Sequence, residues 1–400
     1  MLTGKTVVLA VSGSIAAYKA ANIARMCKKL NADVQVLMTK NAENFINPIT
    51  FESLTGNKCL IDTFDRSFQY SVEHVALAKR ASVVLVAPAS ANVIGKIANG
   101  IADDMLTTTI MACTCKKIIS PAMNHNMFHN PIVQDNIKKL ASYGYEIAAP
   151  DRGMLANGDI GDGRMPDEQL LVNYVLKECA FEKDLAGKKV LVTAGATREP
   201  LDPVRFISNH STGKMGIALA ENAMLRGAEV TLVAAHTDVP APPFITVVKA
   251  ETAADMYNAV TERFDNCDIV VKAAAVADWR ARTVAENKIK KHDNSPDIEF
   301  ERTQDILAEL GRRKNNQFLC GFSMETENLE ENSRKKLEKK DLDMICANNL
   351  KTKGAGFAAD TNAVTIITKD GIEKLELMSK QKVAEKIFDK IIDSMNKDVQ

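Results

Sequence analysis

Several stretches of this sequence place side chains capable of chemistry directly behind short apolar runs. In Ser12-Gly13-Ser14-Ile15-Ala16-Ala17, Gly13 permits a turn, and Ser14 with the free N–H groups of a helix start suits a single phosphate. The stretch holds only one of the three glycines of a dinucleotide fingerprint, and taken alone an ordinary strand-to-helix turn explains it as well. Pro88-Ala89-Ser90-Ala91-Asn92 supplies a hydroxyl and an amide at another helix start, and Pro121-Ala122-Met123-Asn124 follows a third apolar run. His74 is the side chain here that titrates near neutrality, although a lone histidine is more often structural.

The second half has its own candidates. The long segment from Gly195 to Gly216 joins a strand pattern to a helix pattern, and long loops inside compact domains tend to be functional. Its Gly213-Lys214 invites comparison with a P-loop, but Ser208 stands where the first glycine belongs and Met215 where a magnesium-binding hydroxyl belongs. Ala273-Ala274-Ala275-Val276-Ala277-Asp278-Trp279 combines small residues, which allow close approach of a flat base or sugar, with a carboxylate. Lys288-Ile289-Lys290-Lys291 is a basic run that a solvated charge cluster would also explain.

Elements that position these residues repeat between the halves. Leu2-Thr3-Gly4-Lys5 and Leu185-Ala186-Gly187-Lys188 each lead into a short apolar run and then a glycine-containing turn. The pattern predicts two α/β domains, 1–182 and 183–400, joined around Phe181 to Leu185. Each is expected to be a doubly wound, mainly parallel sheet, flavoprotein-like in the first half and Rossmann-like in the second. In the first half, a helix from about Ile15 to Leu30 and strands Val34–Met38, Ser82–Ala87 and Lys117–Ile119 are expected, the last two stopped by Pro88 and Pro121. In the second, strands are expected at Glu229–Val233, Asp268–Val271, Phe318–Leu319 and Asp343–Cys346. A small antiparallel edge turns at Lys369-Asp370-Gly371, and a helix follows from Lys382 to Met395.

Composition excludes several classes. With 400 residues, 46% hydrophobic, 26% charged and a formal net charge of zero, the chain offers no basic groove for nucleic acid and no tether for an anionic membrane. No apolar run approaches the roughly 18 residues of a membrane span. Met1 to Lys5 enter a strand pattern at once, so no signal peptide and a cytoplasmic location are expected. The eight cysteines are scattered, and Cys113-Thr114-Cys115 has the wrong spacing for a zinc knuckle, so reduced thiols are expected. His125 and His129 lack the glutamate of a metalloprotease helix, and no metal ligands are assigned.

Taken in order, Gly13-Ser14-Ile15-Ala16, the Pro88–Asn92 turn, Gly100-Ile101-Ala102-Asp103-Asp104 and Pro121-Ala122-Met123-Asn124-x-x-Met127 closely resemble the homo-oligomeric flavin-containing cysteine decarboxylases. The resemblance implies FMN bound against Gly13, Ser14, Thr39, Ser90, Asn92 and Met123, with His74 catalytic and Asn124 gripping the substrate carboxylate. It also implies oxidation of a cysteinyl thiol to a thioaldehyde, whose C=S accepts the electrons left when carbon dioxide departs. Many members carry a proton-donating cysteine in a mobile lid. Here the lid frame Ala156-Asn157-Gly158-Asp159-Ile160-Gly161-Asp162-Gly163-Arg164-Met165 is intact, but the position holds Asn157, whose amide is no usable proton donor. Either the change is engineered, or another donor or water serves.

The second half resembles phosphopantothenate–cysteine ligases over its whole length. The resemblance rests on Thr197–Arg205 running into Ser208-Asn209-His210-Ser211-Thr212-Gly213-Lys214-Met215-Gly216, on Ala274–Asp278 and Lys288–Lys291, on Gly321-Phe322 with Glu325-Thr326, and on Leu342–Asn348. It implies nucleotide contacts from Ala273, Ala274, Asp278, Lys288, Asp305, Phe322, Lys336 and Lys340, with Asn209 handling the activated carboxylate. Arg302-Thr303-Gln304-Asp305 departs from the family's Lys-Asn-Pro-Asp at all but Asp305. Together the halves resemble the bifunctional enzymes of bacterial coenzyme A biosynthesis. Implied substrates are 4′-phosphopantothenate, cysteine and CTP, with Mg2+ and FMN as cofactors. The implied assembly is a homo-oligomer of flavin-domain trimers and ligase-domain dimers, a dodecamer in the largest form. A pyridine-nucleotide oxidoreductase is the alternative, but Thr39-Lys40 stands where its acidic residue is needed. A flavoprotein whose decarboxylase half is stalled or regulatory is the other.

Overall fold

The chain, examined as a computed structural model, divides into two compact units, Met1–Glu182 and Lys183–Gln400. The structure describes all residues except 64–72, 156–157, 291–297, 326, 350–355, 357–358 and 398–400.

In the first unit the apolar runs form a five-stranded parallel sheet, ordered β2-β1-β3-β4-β5. Its strands are β1 (Thr6–Val11), β2 (Asp33–Met38), β3 (Ala81–Ala89), β4 (Lys116–Pro121) and β5 (Glu146–Ile147). Every residue of β1 is buried, as a strand covered on both faces requires. The helices are α1 (Ala17–Lys29), α2 (Pro48–Thr55), α3 (Glu73–Arg80), α4 (Ala91–Ala98), α5 (Met105–Ala112), α6 (His125–Phe128), α7 (Pro131–Ser142) and α8 (Glu168–Cys179). Most starts carry a polar cap, such as Ser90 on α4 and the Asp104–Thr107 capping box on α5. An antiparallel hairpin, β6 (Asp151–Met154) and β7 (Ile160–Arg164), stands outside the sheet.

Pro88 does not stop β3, whereas β4 ends on Pro121 as expected. Pro88 lies inside β3, where the pairing with β4 shifts between Val86 and Ala89, and Pro121 ends β4. A proline is tolerated at such an irregularity because no ladder N–H is asked of it. Its carbonyl still works, accepting from the Ser12 N–H at 3.2 Å.

The second unit holds an eight-stranded sheet, ordered β12-β11-β8-β13-β16-β17-β19-β20. In chain order its strands and their neighbours are β8 (Lys189–Ala194), β9 (Arg198–Pro200), β10 (Phe206–Ser208), β11 (Glu229–Ala234), β12 (Thr246–Lys249), β13 (Ile269–Lys272), β14 (Trp279–Ala281), β15 (Phe300–Arg302), β16 (Phe318–Glu325), β17 (Met344–Asn349), β18 (Thr361–Asn362), β19 (Val364–Thr368), β20 (Ile372–Lys374) and β21 (Met378–Ser379). The stretch from β12 to β17 is parallel, and β19 and β20 add the antiparallel edge, turning through Lys369-Asp370-Gly371. The strand expected at Phe318–Leu319 runs on to Glu325, so Phe322 is a sheet residue. Helices α9 (Lys214–Leu225), α10 (Ala253–Thr261), α11 (Ile306–Arg313), α12 (Leu329–Lys339) and α13 (Lys380–Lys397) cover the faces. Leu191, Val270, Leu319 and Ile345 meet Met256, Phe264, Leu310 and Leu337 in the core. Buried Arg226, after α9, pairs with Asp184 at 2.9 Å and with Asp389 of α13, tying the first residues of the unit to its last helix.

Both parallel orders reverse direction once, between β1 and β3 and between β8 and β13. Ligands of doubly wound sheets bind beyond the carboxyl ends of strands at that switch. Among the described residues, no helix is long and apolar enough to cross a membrane.

Candidate active sites

Beyond β1 and β3 the chain is cross-tied. The Ser12 hydroxyl donates to the Pro88 carbonyl and accepts from the Ser90 N–H, both at 2.8 Å. Gly13 passes so close to Asn41 that a Cβ there would lie 2.8 Å from the Asn41 Cβ. Thr39, buried after β2, caps the next 3-10 turn through the Ala42 N–H. No side chain caps α1; the Ala17 N–H donates to the Ser14 carbonyl at 2.9 Å and the Lys19 N–H to the Ala16 carbonyl at 3.0 Å, so the positive end of the helix faces the space beside Ser14.

A cavity of about 220 Å³ opens there, lined by Ser14, Ile15, Met123, Asn124, Leu155 and Gly163. Its far wall is the β6–β7 hairpin. Met123 donates to the Gly163 carbonyl at 3.0 Å, and a Cβ on Gly163, at φ +118°, would sit 2.3 Å from the Met123 oxygen. Asn124 caps α6 with its side-chain oxygen, leaving its amide NH2 as a donor. The hairpin is clasped from the side. Asp162 donates its N–H to His125 Nδ1 at 3.1 Å, and His129 Nε2 meets Asp162 Oδ2 at 2.8 Å. These three residues bring ligand atoms within 4.8 Å of one another. The same contacts hold the hairpin against α6.

Two of the cavities of the second unit share Phe322 as a wall. One, of about 180 Å³, lies between the start of α9 and the Ala273–Ala275 segment. Gly213 precedes α9 with φ +75° and no side-chain cap, and a Cβ on Gly216 would lie 2.5 Å from the Ala194 Cβ. These close approaches seat the helix start on the end of β8. The alanine segment has no long side chains and is pinned by hydroxyls. Ala274 donates to Thr193 Oγ1 and Ala277 to Thr197 Oγ1, each at 3.0 Å, while Thr303 donates to the Ala277 carbonyl at 2.6 Å. Asn209 reaches the edge of this cavity, donating to the Ala275 carbonyl at 3.3 Å.

The other cavity, of about 440 Å³, is walled by Lys272, Asp278, Trp279, Arg302, Asp305, Lys336 and Lys340. Lys340 pairs with Asp305 at 2.8 Å and Lys336 with Glu325 at 2.7 Å. Burial works against the charged form of Asp305, yet its hydrogen bonds to Lys340 and the Ala308 N–H, with the charges of Lys340 and Lys272, hold it below the usual carboxylate range.

The comparisons with known proteins agree with this geometry. Residues 1–180 match the family described as flavoprotein, and residues 185–395 the family described as DNA/pantothenate metabolism flavoprotein C-terminal domain. Over 395 residues the chain is 46% identical to the coenzyme A biosynthesis bifunctional protein CoaBC of Bacillus subtilis (strain 168), covering 98% of this chain and 97% of that protein. It is 40% identical over 395 residues to the protein of the same name from Escherichia coli (strain K12), with the same coverage of each. The chain belongs to this bifunctional family of coenzyme A biosynthesis. It is an enzyme with phosphopantothenoylcysteine decarboxylase and phosphopantothenate–cysteine ligase activities. Among solved structures, the C-terminal domain of a CoaBC protein is 43% identical, with a TM-score of 0.47, covering 54% of this chain and all of that one.

The residues singled out in the bifunctional pattern are distributed unevenly. Ser14, Met123 and Asn124 line the first cavity, and Gly13 adjoins it. Thr39, Ser90 and exposed Asn92 stand at the strand ends outside that lining, and His74, half-buried in the first turn of α3, does too. In the second unit, Ala273, Ala274, Asp278, Asp305, Phe322, Lys336 and Lys340 all line one of the two cavities. Lys288 lines neither; it is exposed on a loop anchored where Ile289 donates to Asp202 at 3.2 Å. Asp202 is buried, and burial alone would raise its pKa. Three backbone N–H groups and Arg205 keep it below the usual range. Asn157, Lys291 and Thr326 lie outside the described residues. Sequence reasoning passed over Lys272 and Lys380; the position of Lys272 directly after the apolar run of β13 was the available signal.

Proposed function

We propose that the Met1–Glu182 unit binds FMN and decarboxylates phosphopantothenoylcysteine, and that the Lys183–Gln400 unit makes that substrate from 4′-phosphopantothenate, cysteine and CTP. What carries the reading is the contrast between the two switch points: a small cradle with one uncapped helix start in the first unit, and a cavity rich in paired cations in the second. FMN carries a single phosphate, which fits one helix N-terminus beside Ser14, and the close approach at Gly13 leaves backbone rather than side chain facing it. Thr39, Ser90 and Asn92 add polar groups around that cradle, and Met123 an apolar one. When bound, the flavin supplies a two-electron acceptor that makes the carbon beside the departing carboxylate able to release it. Asn124 offers its NH2 to the substrate carboxylate, His74 is the candidate for proton handling, and the hairpin excludes water from the cavity.

In the ligase unit a carboxylate must become an acyl donor. The phosphopantothenate carboxylate attacks the α-phosphate of CTP, pyrophosphate leaves, and the cysteine amine displaces CMP from the acyl-cytidylate. Lys336, Lys340 and Lys288 offset phosphate charge, Asn209 at the cavity edge holds the activated carboxylate, and Ala273, Ala274, Asp278, Asp305 and Phe322 shape the nucleotide site. Mg2+ would add to the offset of phosphate charge. Ile15, Tyr18, Met127, Met154 and Ile160 are exposed apolar residues of the flavin unit, which supports a homo-oligomer that covers them. The reading places the enzyme in the cytoplasm.

The test uses the whole chain. Denaturation should release FMN, and CMP with pyrophosphate should form only when phosphopantothenate and cysteine are both present. Released FAD or NAD would overturn the first assignment, and AMP formed from ATP faster than CMP from CTP would overturn the second. A fragment from Asp184 to Gln400 that ligates at the whole chain's rate would place that activity in the second unit alone.

A further inference from the structure

The larger ligase cavity holds a cation to which the ligase reading gives no task. Lys272 closes β13, at the carboxyl edge of the parallel sheet beside the switch point. Its neighbours in the cavity wall are already engaged: Lys336 with Glu325 at 2.7 Å, Lys340 with Asp305 at 2.8 Å, and the Arg302 guanidinium over the Trp279 ring at 5.2 Å. The Lys272 side chain makes no hydrogen bond or ion pair with any described residue. Its side chain is half-buried and keeps surface on the cavity. A half-buried ammonium with no hydrogen-bonded counter-ion is less stable than a paired one unless a ligand supplies an anion.

We propose that Lys272 is a further nucleotide-binding residue of the ligase, an unpaired cation that receives an anionic oxygen of the phosphate-bearing part of CTP. The proposal rests on the assignment of this cavity to the nucleotide. The charges that face Lys272 are Lys340, which follows α12, Asp305 at the head of α11, and Asp278 after β13, with Lys336 and Arg302 further along the wall. Burial pulls the Lys272 ammonium down to about 8; Lys340 pushes the same way, and Asp305 and Asp278 oppose it. An anion beside it raises its proton affinity, so binding draws a proton from solution when the free enzyme is partly neutral there.

The sign follows from linkage. Below pH 8 the lysine is charged with and without nucleotide, and it contributes fully to affinity. Above its free-state value the proton must be regained on binding, so Kd for CTP rises by up to about tenfold per pH unit until the bound-state value is reached.

Calorimetric titration of the full chain with CTP, at pH 7 and pH 9 and in two buffers of different ionisation enthalpy, tests this. The unmodified chain should take up protons at pH 9 and bind roughly tenfold more weakly there than at pH 7. Lys272→Met, similar in length and apolar, should bind roughly tenfold more weakly at pH 7, without the proton uptake. In turnover it should raise KM for CTP with kcat little changed. Lys272→Arg, which stays charged, should bind at both pH values without the pH dependence. A Lys272→Met variant with unchanged affinity, or with the same proton uptake, overturns the proposal. Should that variant not fold, Lys272→Arg decides: pH dependence lost supports the role, and pH dependence kept overturns it. An unmodified chain that binds no CTP at either pH overturns the nucleotide assignment itself, a result distinct from the loss of the Lys272 effect alone.

Discussion

The two units solve the same topological problem with different materials. Each reverses strand order once beside its first strand, and each gathers its candidate residues beyond the carboxyl ends there. In the first unit the turn after β1 is short, and the cavity is closed by hydroxyls, backbone groups and a clasped hairpin, with no charged side chain among the described residues of its lining. In the second unit the connection from β8 to α9 is long enough to hold its own β9–β10 hairpin, and the larger of the two cavities at Phe322 is walled by lysines and aspartates. A cofactor that stays bound through every turnover can be held by fixed dipoles. A polyanion that arrives, reacts and leaves as fragments needs movable charge to balance it. The fold is shared; the difference lies in the loops.

The comparison can be broken most sharply at Asn157. If that amide cannot donate a proton, the unmodified chain should ligate normally yet release a product two hydrogens lighter than 4′-phosphopantetheine, and Asn157→Cys should restore the full product. A thiol with a pKa of roughly 8.5 donates at working pH where an amide does not. Mass analysis of products decides, and equal rates from both chains would sink the account of the lid. Next in size are two glycine substitutions that should act crosswise. Gly163→Ala meets the Met123 oxygen and should cut decarboxylation about ten- to a hundredfold through misplacement of the hairpin. Gly216→Ala meets the end of β8 and should cut ligation by a similar factor. Each should spare the other activity, measured separately in the same chain; a variant that lowers both equally would show that the sites are not independent.

Smaller effects probe charge. Asn209→Asp sets a carboxylate beside the substrate carboxylate and should slow acyl-cytidylate formation roughly five- to tenfold, seen in a single-turnover assay. Lys288→Gln changes an exposed residue and should raise KM for CTP only about two- to fivefold. An unchanged KM would return Lys288 to the solvated surface.

Much of this was legible because buried parallel strands are written as apolar runs and end where glycine or polar residues begin. β1, β2, β11 and the β19–β20 hairpin follow that rule. Where it failed, a second influence was at work. Pro88 has the composition of a strand stop but sits at a shift in pairing, which only the neighbouring strand defines. Beyond Leu319 the run loses its uniform apolarity, so six further sheet residues from Cys320 to Glu325 were not expected in the strand. The pairs β5, β6–β7 and β14–β15 are too short for any period to show. At the sites, residues contiguous with a strand end were easy to place, as Ser14, Asn124 and Asp278 were. His125 and His129 could be seen as neighbours on one helix, but their partner Asp162 comes from a separate hairpin, and no local pattern joins them.

The hydroxyl pins on the alanine segment have a consequence for how the ligase unit opens. Ala274 and Ala277 lie outside any strand, yet their N–H groups are bonded to threonines at 3.0 Å, and Ala275 donates to the Gly195 carbonyl at 2.9 Å. These amide protons should therefore exchange with solvent on the timescale of the central sheet rather than of a surface loop. The rear wall of the proposed nucleotide site then belongs to the same cooperative unit as β8 and β13, and it is not released until that unit opens.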